Sequence, residues 1–387
     1  MTGAAGGRLP YWRLSAYYFF YFASLGALVP YWGLYLQSRG FDALAIGQLM
    51  AILAGTKIVA PMLWGHLADR SGQRMPLVRV GSLAAALAFG GVFLVHGFWG
   101  MALAMTAFSF FWNAALPQME SVTFNHLGAR AARYAQVRVW GSVGFILVVG
   151  ALGFELGWAS LDVVPVWVCA TLAILWGATL TVPDCAPAPG EGPAPSLRRL
   201  LRRSEVLAFL LACFLMQAGH GVYYAFYSIH LKAAGYSSPA VGALWVLGVM
   251  AEVLVFLIMH RLLTRLGARR VLLWSLGLAA LRWLLIGAFA DLLAVQILAQ
   301  TLHAATFGTF HASAIHLVHH YFPGRTQGRG QALYNSLSFG AGGAVGSLLG
   351  GLLWSGAGPL AAFGAGSLAA LLGLGAVWRW VDREGRF

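Results

Sequence analysis

The chain has 387 residues, of which 59% are hydrophobic and only 10% are charged. Soluble globular domains carry roughly 45–50% apolar and about 25% charged residues, so the composition argues against a soluble enzyme. The formal net charge of +13 would suit a nucleic-acid partner if the basic residues formed one patch. They lie instead between successive apolar segments, which argues against nucleic acid and favours a membrane protein.

Long apolar segments follow one another along the whole chain. A membrane helix needs about 20 apolar residues, and the sequence accommodates twelve such helices, called spans 1 to 12. The first segment is too long for the apolar region of a signal peptide, so we interpret it as a span. The predicted spans cover residues 11–36, 43–67, 76–96, 98–126, 134–157, 163–182, 205–231, 239–263, 271–290, 293–321, 328–355 and 357–381.

The main interruption of this pattern is the segment 183–204. It contains five of the 14 prolines, followed by four arginines. Proline and charge exclude a buried span, so we interpret the segment as a linker. It separates an N-terminal half of six spans, residues 1–182, from a C-terminal half of six spans, residues 205–387. Two six-helix halves are typical of secondary transporters that alternate between two access states.

Basic residues lie almost entirely on one side of the predicted spans. Of the 25 Lys and Arg residues, 21 fall in the termini, the linker and the loops of one side, whereas Arg39 and Lys232 alone fall on the other. Lys57 and Arg282 lie within spans. Because cytoplasmic loops carry the excess of positive charge in membrane proteins, this distribution predicts that both termini and the linker are cytoplasmic.

The sequence lacks a nucleotide-binding loop. Neither lysine is part of a Gly-Lys-Ser/Thr run, so transport would depend on a gradient rather than on nucleotide hydrolysis. The glycine-rich segment 340–351 is of a different kind. Gly342, Gly346 and Gly350 recur every four residues on an apolar helix, which predicts close packing against a neighbouring helix.

The sequence also lacks the features of other functional classes. Neither HExxH nor GxSxG occurs, which argues against a membrane-embedded enzyme. The linker is the longest loop and is too short for the output domain of a receptor. His316, His319 and His320 have no Cys, Asp or Glu nearby to complete a zinc site. We therefore predict no enzyme activity, no metal site and no cofactor.

The loop between spans 2 and 3 has the sequence GHLADRSGQR at residues 65–74. It resembles the signature loop of the major facilitator superfamily, with Gln73 at the family's second-last basic position. In the corresponding loop after span 8, Thr264 replaces the acidic residue. The resemblance implies the major facilitator fold, an all-α integral membrane protein with twelve transmembrane helices in two six-helix pseudo-symmetric bundles. It also implies a gate at the cytoplasmic ends of the helices, formed by Asp69, Arg70 and Arg74; the alternative is a solvated charged turn.

Several stretches of the second half resemble the bacterial 3-phenylpropionate permease branch of that superfamily. They are QAGHGVYY at 217–224, AAGYS at 233–237, GVMAEV at 248–253, Arg282-Trp283, Gln300, His303 and His311, and RVWGSVG at 138–144 agrees in the first half. The resemblance implies an aromatic carboxylate as the substrate class and proton symport as the coupling. Related branches carry nucleosides and other solutes, so these substrates stay open.

Polar side chains form stripes on three spans of the second half. At roughly 100° per residue of helix, the members of each stripe fall on one face. Such faces in an apolar bundle indicate either a wet cavity or hydrogen bonds between helices, and we favour the cavity. Tyr17, Tyr18, Tyr21, Trp112 and Asn113 are candidates for the opposite wall. The stripes are Gln217, His220 and Tyr224 on span 7, Gln300, His303 and His311 on span 10, and Gln331, Tyr334, Asn335 and Ser338 on span 11.

Charged residues within spans have matched depths. At about 1.5 Å per residue, Glu252 of span 8 and Arg282 of span 9 each lie about 17 Å from the cytoplasmic face. Glu120 and Arg138 both lie within roughly 10 Å of it. We predict two charge pairs, Glu252–Arg282 and Glu120–Arg138, with either a structural or a proton-coupling role. Lys57 has no acidic residue at its depth and is either neutral or binds an anion.

Together these observations predict a secondary active transporter of the bacterial inner membrane. Its expected partners are a small organic solute, most simply an aromatic monocarboxylate, together with protons and membrane lipid, and we expect a monomer. Two alternatives on the same fold stay open: an exporter of amphipathic compounds, and a nucleoside or sugar proton symporter. The predicted substrate-binding residues are Lys57, Tyr21, Asn113, Gln217, His220, Tyr224, Gln300, His303, His311 and Asn335.

Overall fold

The first half of the chain folds into six membrane-length helical segments in a computed structural model, which describes residues 9–185 and 200–381. Most of the predicted linker, residues 186–199, lies outside the described residues, as do 1–8 and 382–387. No β-strand occurs in the described part. The helices of the first half are Tyr11–Leu28 and Trp32–Ser38, which together form span 1, then Ala43–Ser71, Met75–Gly90, Gly97–Leu127, Tyr134–Glu155 and Val163–Thr181.

The second half begins with three continuous helices and continues with two interrupted ones. The continuous helices are Ser204–Ala233, Ser238–Leu266 and Ala268–Ala288. Span 10 consists of Leu293–Thr301 and Phe310–Tyr321, with a π-helical segment, Ala304–Thr309, between them. Span 11 begins as Gln327–Asn335 and passes through a second π-helical segment, Ser336–Gly342. The following helix, Gly343–Trp380, contains the rest of span 11 and all of span 12.

The chain reverses direction within Gly343–Trp380. Gly358 has a φ of +82° and is followed by Pro359, which breaks the helix. Gly346 packs directly on the backbone of Ala218 in span 7, and a Cβ on Gly366 would lie 3.3 Å from the Cα of Gly219. Residues 20 positions apart can meet the same level of span 7 only if the chain turns back between them.

The twelve-helix fold predicted from the sequence is confirmed. Ten helices of the described residues are long and apolar enough to cross a membrane. Gln327–Trp380 counts once among these although it crosses twice, and the interrupted span 10 is not among them. The close packing predicted for the glycine-rich helix is also present, because Gly342, Gly346 and Gly350 each lie against span 7.

Equivalent interactions cap equivalent helices in the two halves. Asp42 accepts a hydrogen bond from a backbone N–H in the first turn of span 2, and Ser237 does the same at the start of span 8. Arg79, at the start of span 3, donates to the last carbonyl groups of span 6, the shorter bond being 2.8 Å. Arg269 donates in the same way to the end of span 12, at 2.7 and 2.8 Å. A cation at a helix C-terminus satisfies free carbonyls and complements the helix dipole.

The two halves meet at one end of the bundle. We call this end, which holds Arg39 and Lys232, the Arg39 end. The opposite end, which holds Arg70, is called the Arg70 end. A Cβ on Gly47 of span 2 would lie 2.6 Å from the carbonyl oxygen of Ser347 in span 11. A Cβ on Gly242 of span 8 would lie 3.3 Å from the Cα of Gly153 in span 5. Such approach requires glycine, so these helix pairs close the Arg39 end.

Candidate functional site

The polar stripes of spans 7 and 10 meet inside the second half. The ring centroids of His220 and His303 are 6.2 Å apart, and Tyr223 donates a 3.0 Å hydrogen bond to Oε1 of Gln300. Gln300 is fully buried and His303 is 6% exposed. The face periodicity of the two helices therefore brings together the side chains that it groups in the sequence. Tyr223 lies three residues after His220 on the same face, and this spacing could have identified it.

His220 has a defined orientation. Its Nδ1 lies 3.0 Å from the carbonyl oxygen of Met216. A carbonyl oxygen only accepts, so Nδ1 carries the proton and donates. Nε2 has no partner among the described residues and is buried. The ring also packs at 90° against Trp283, with centroids 5.0 Å apart, so an acceptor nitrogen is held in a fixed position within the cluster.

Glu252 lies beside His303 rather than beside Arg282. Its Oε2 is 3.6 Å from Nε2 of His303. No salt bridge joins Glu252 to Arg282 within the described ranges, so the predicted pair is wrong. Both residues do lie deep in the bundle, but Arg282 turns toward carbonyl and hydroxyl oxygens of the interrupted span 10. Glu252 keeps 18% of its side-chain surface exposed and is the acidic member of the cluster.

Two histidines flank an aromatic ring along span 10. The rings of His303 and Phe307 are nearly parallel, with centroids 5.3 Å apart, and those of Phe307 and His311 are 6.2 Å apart. Nδ1 of His311 lies 3.1 Å from the hydroxyl of Tyr334 in span 11. The stack includes the π-helical segment of span 10, and such segments occur frequently at functional sites. Phe307 was not among the predicted site residues, since nothing distinguishes it from a core residue in the sequence.

The first half contributes an aromatic wall. Tyr21 stacks on Trp112 with centroids 5.0 Å apart and planes 10° apart, and Tyr17 stacks on Tyr21 at 6.0 Å. All three side chains are at most 5% exposed, and the Tyr17 hydroxyl and Trp112 Nε1 are buried without partners in the described part of the chain. Flat, polar-edged rings of this kind fit a planar ligand.

Arg138 extends from span 5 toward the second half. Its guanidinium carbon lies 3.7 Å from the ring centroid of Phe22, and it is within Coulombic range of Glu252 and His311. The predicted salt bridge with Glu120 does not form. Glu120 instead accepts a 3.1 Å hydrogen bond from the Tyr134 hydroxyl. Arg138 therefore stacks on Phe22 and interacts with Glu120 only through space, without a hydrogen-bond partner among the described side chains.

Lys57 and Asn113, two predicted substrate-binding residues of the first half, differ in what they can bind. The Asn113 amide donates to the Leu53 carbonyl at 3.0 Å and to the Thr56 hydroxyl at 2.8 Å, so it joins span 4 to span 2. Lys57 forms neither a salt bridge nor a side-chain hydrogen bond within the described residues. The backbone of Lys57 packs on the π-helical segment of span 11, where a Cβ on Gly340 would lie 3.5 Å from the Lys57 carbonyl carbon. Lys57 is therefore a cation without a counter-charge at the interface between the halves.

The predicted gate residues are paired within the first half. Arg74 forms a 2.7 Å salt bridge with Asp69 and donates to Gln118 of span 4. Arg70 is exposed. These contacts hold the end of span 2 to span 4. A latch that joins the two halves at the Arg70 end stays a prediction. The predicted site residue Asn335 is exposed near the same end.

Four buried nitrogen atoms of the polar stripes on spans 7 and 10 lack hydrogen-bond partners among the described residues. Buried polar groups are nearly always hydrogen-bonded, and those that are not require an explanation. A transported ligand would provide the missing partners. The atoms are Nε2 of Gln217, Nε2 of His220, Nε2 of Gln300 and Nδ1 of His303.

The chain is similar over most of its length to known transporters. Residues 11–365 match the MFS_1 like family. The "Probable 3-phenylpropionic acid transporter" of Escherichia coli (strain K12) is 30% identical over 87% of this chain and 89% of its own length. The maltose permease of Geobacillus stearothermophilus is 27% identical over 87% and 86%.

Solved structures show the same fold at lower identity. The nucleoside transporter NupG superposes with a TM-score of 0.79 at 18% identity, covering 95% of this chain and 97% of that one. The human organic anion transporter MFSD10 superposes with a TM-score of 0.66, also at 18% identity, covering 96% and 100%. The chain therefore belongs to the MFS_1 like family of the major facilitator superfamily and is a membrane transporter.

Proposed function

We propose that this protein carries a small aromatic monocarboxylate together with protons across the bacterial inner membrane. Residues 1–182 and 205–387 act as two halves that alternate between access states, with both termini in the cytoplasm and the Arg39 end outside. The observation that carries the proposal is Lys57, a cation within span 2 that forms no salt bridge and no side-chain hydrogen bond among the described residues, in a bundle whose first half supplies the stacked aromatic wall of Tyr21 and Trp112. A carboxylate would neutralise a cation, and its ring would stack on the wall.

The proton-binding group in this proposal is Glu252. It is the carboxylate of the second-half cluster, and it lies between His303 on its own half and Arg138 across the interface. Ionisable groups inside a membrane protein commonly form proton relays. When the halves move, the distance from Glu252 to Arg138 changes, and a change in that distance alters how strongly Glu252 holds a proton.

The name of the Escherichia coli relative supports the same substrate class. The second candidate is a nucleoside or sugar, which the maltose permease and NupG similarities support. The four buried nitrogens without partners favour a ligand with several hydrogen-bonding atoms, which a nucleoside or sugar also supplies. An unpaired midplane lysine favours the carboxylate, because a neutral ligand would leave its charge uncompensated.

Replacing Lys57 by glutamine tests the substrate charge. We expect the Km for 3-phenylpropionate to rise roughly 10- to 150-fold, since a hydrogen bond to a charged group contributes about 1.5–3 kcal/mol. The Km for the neutral 3-phenylpropanamide should change far less. Initial uptake rates in proteoliposomes measure both values.

The matched control is Lys232→Gln, which removes the other lysine of the chain. Lys232 is exposed at the Arg39 end, where it donates to Ser238, and its replacement should leave both Km values unchanged. An equal loss for the acid and the amide in Lys57→Gln would assign Lys57 a structural role and remove the main support for an anionic substrate.

A further inference from the structure

Arg282 is a fully buried guanidinium whose N–H groups point at the interruption of span 10. Its Nε donates to the Ala299 carbonyl at 2.8 Å, and its Nη1 donates to the Thr306 hydroxyl at 3.0 Å. The remaining nitrogen, Nη2, lies 3.4 Å from Oε1 of Gln300. The cation also faces the ring of Tyr223, with 4.5 Å from its central carbon to the ring centroid. Each nitrogen of the guanidinium therefore faces an oxygen atom of the protein itself.

The position of Ala299 explains why a cation is needed there. The first helix of span 10 ends at Thr301, and the chain continues as a π-helical segment from Ala304. The last four carbonyl groups of a helix lack partners within it, and an unpaired backbone carbonyl at membrane depth is costly. Arg282 supplies donors to both sides of the interruption, Ala299 before it and Thr306 after it.

The same contacts fix the orientation of the Gln300 side chain. A guanidinium has donors only, so the Gln300 atom that faces it must be the amide oxygen. Tyr223 donates to that oxygen as well. Nε2 of Gln300 is therefore turned to the other side, where it is buried and has no partner among the described residues. The donor direction of this amide is determined by its neighbours.

We infer that Arg282 is a positioning residue, which caps the interruption of span 10 and holds Gln300 so that its amide N–H group donates to an acceptor atom of the transported substrate. The inference rests on the proposed function for its substrate. It assigns different roles to the cations of the protein: Lys57 meets the substrate charge, whereas Arg282 acts through Gln300.

A substrate-independent measurement tests the cap. Hydrogen–deuterium exchange of the purified protein should be faster in Arg282→Gln than in the unaltered chain for peptides that cover 299–306. Arg282→Lys should recover part of the protection, because its ammonium can still donate to Ala299. Unchanged exchange in Arg282→Gln would overturn the inference, whatever the substrate proves to be.

Ligand binding tests the positioning role. With 3-phenylpropionate and 3-phenylpropanamide as probes in calorimetric titrations, Arg282→Gln should raise both dissociation constants by a similar factor, about tenfold. A loss confined to the acid would show that Arg282 contacts the carboxylate and would overturn the inference. Gln300→Glu keeps the shape and the contact with Arg282 but presents no N–H group, and it should weaken binding of the uncharged amide about as much.

Thr306→Val keeps the inference testable if Arg282→Gln does not fold. It removes one acceptor of the guanidinium and should accelerate exchange over 299–306 to a smaller degree. Its matched control is Thr301→Val, on the same span, where the hydroxyl bonds only within its own helix turn and the side chain is exposed. Equal exchange in the two threonine variants, together with unaltered amide binding by Gln300→Glu, would contradict the inference.

Discussion

Replacing Glu252 by glutamine is expected to abolish the stimulation of uptake by a proton gradient while exchange of substrate across the membrane continues. Glutamine matches the shape of glutamate and can still hydrogen-bond to His303, but it cannot bind and release a proton. Net uptake of 3-phenylpropionate into proteoliposomes with an alkaline interior should fall to the rate measured without a gradient. Exchange of internal for external substrate should change less than roughly tenfold, the effect of altering one hydrogen bond.

The control for this experiment is Glu205→Gln. Glu205 lies at the start of span 7, where it pairs with Arg203, and its replacement should preserve gradient-driven uptake. If Glu252→Gln still responds to the gradient, then Glu252 is not the proton carrier and Glu120 becomes the candidate. If exchange is lost together with net uptake, Glu252 serves substrate binding or folding instead.

Adding a single methyl group to Gly47 is expected to open the Arg39 end. The new Cβ would lie 2.6 Å from the Ser347 carbonyl oxygen, a backbone atom that cannot rotate away. Overpacking of this kind costs about 1–3 kcal/mol, which would reduce the ratio of closed to open protein roughly 5- to 150-fold. Uptake should slow, because the cycle requires the closed state as well as the open one.

Gly55→Ala is the matched control on the same helix, since a Cβ there would meet its nearest neighbour only at 4.0 Å. Spin labels at positions 39 and 232, in a chain whose three cysteines have been replaced, report the separation of the two halves at this end. Gly47→Ala should increase the longer distances, and Gly55→Ala should leave the distribution unchanged. Identical distributions in both variants would show that span 2 and span 11 do not form the closure.

The amino-acid sequence predicts most of the fold because membrane insertion constrains it so strongly. Apolar length determines where the spans lie, and the alternation of Arg and Lys predicts their direction. Helical periodicity groups His220 with Tyr224 and Gln300 with His303, and these side chains do meet. Two features of the fold have no such signal. The π-helical segment of span 10 packs against spans 8 and 9 and that of span 11 against spans 2 and 7, and no local pattern encodes such packing.

The charge pairs show where prediction from depth fails. Glu252 and Arg282 were paired because both lie about 17 Å from one face, and depth is one coordinate of three. The rotation of each helix decides the rest. Span 8 turns Glu252 toward His303, whereas the interruption of span 10 leaves a carbonyl that attracts Arg282. Similarly, Arg138 stacks on Phe22 instead of pairing with Glu120, because an aromatic face competes with a carboxylate for the guanidinium.

The central claim is that an aromatic carboxylate crosses the membrane with protons through this protein. The most direct test is the initial rate of radiolabelled 3-phenylpropionate uptake into proteoliposomes with an imposed pH gradient, compared with protein-free vesicles. The rate is the informative quantity, because one-to-one symport and passive entry of the weak acid reach the same final distribution. We expect protein-dependent uptake that the gradient accelerates and that excess unlabelled acid, but neither uridine nor maltose, suppresses. Uptake no faster than in protein-free vesicles, with gradient-driven uptake of uridine or maltose in its place, would contradict the account.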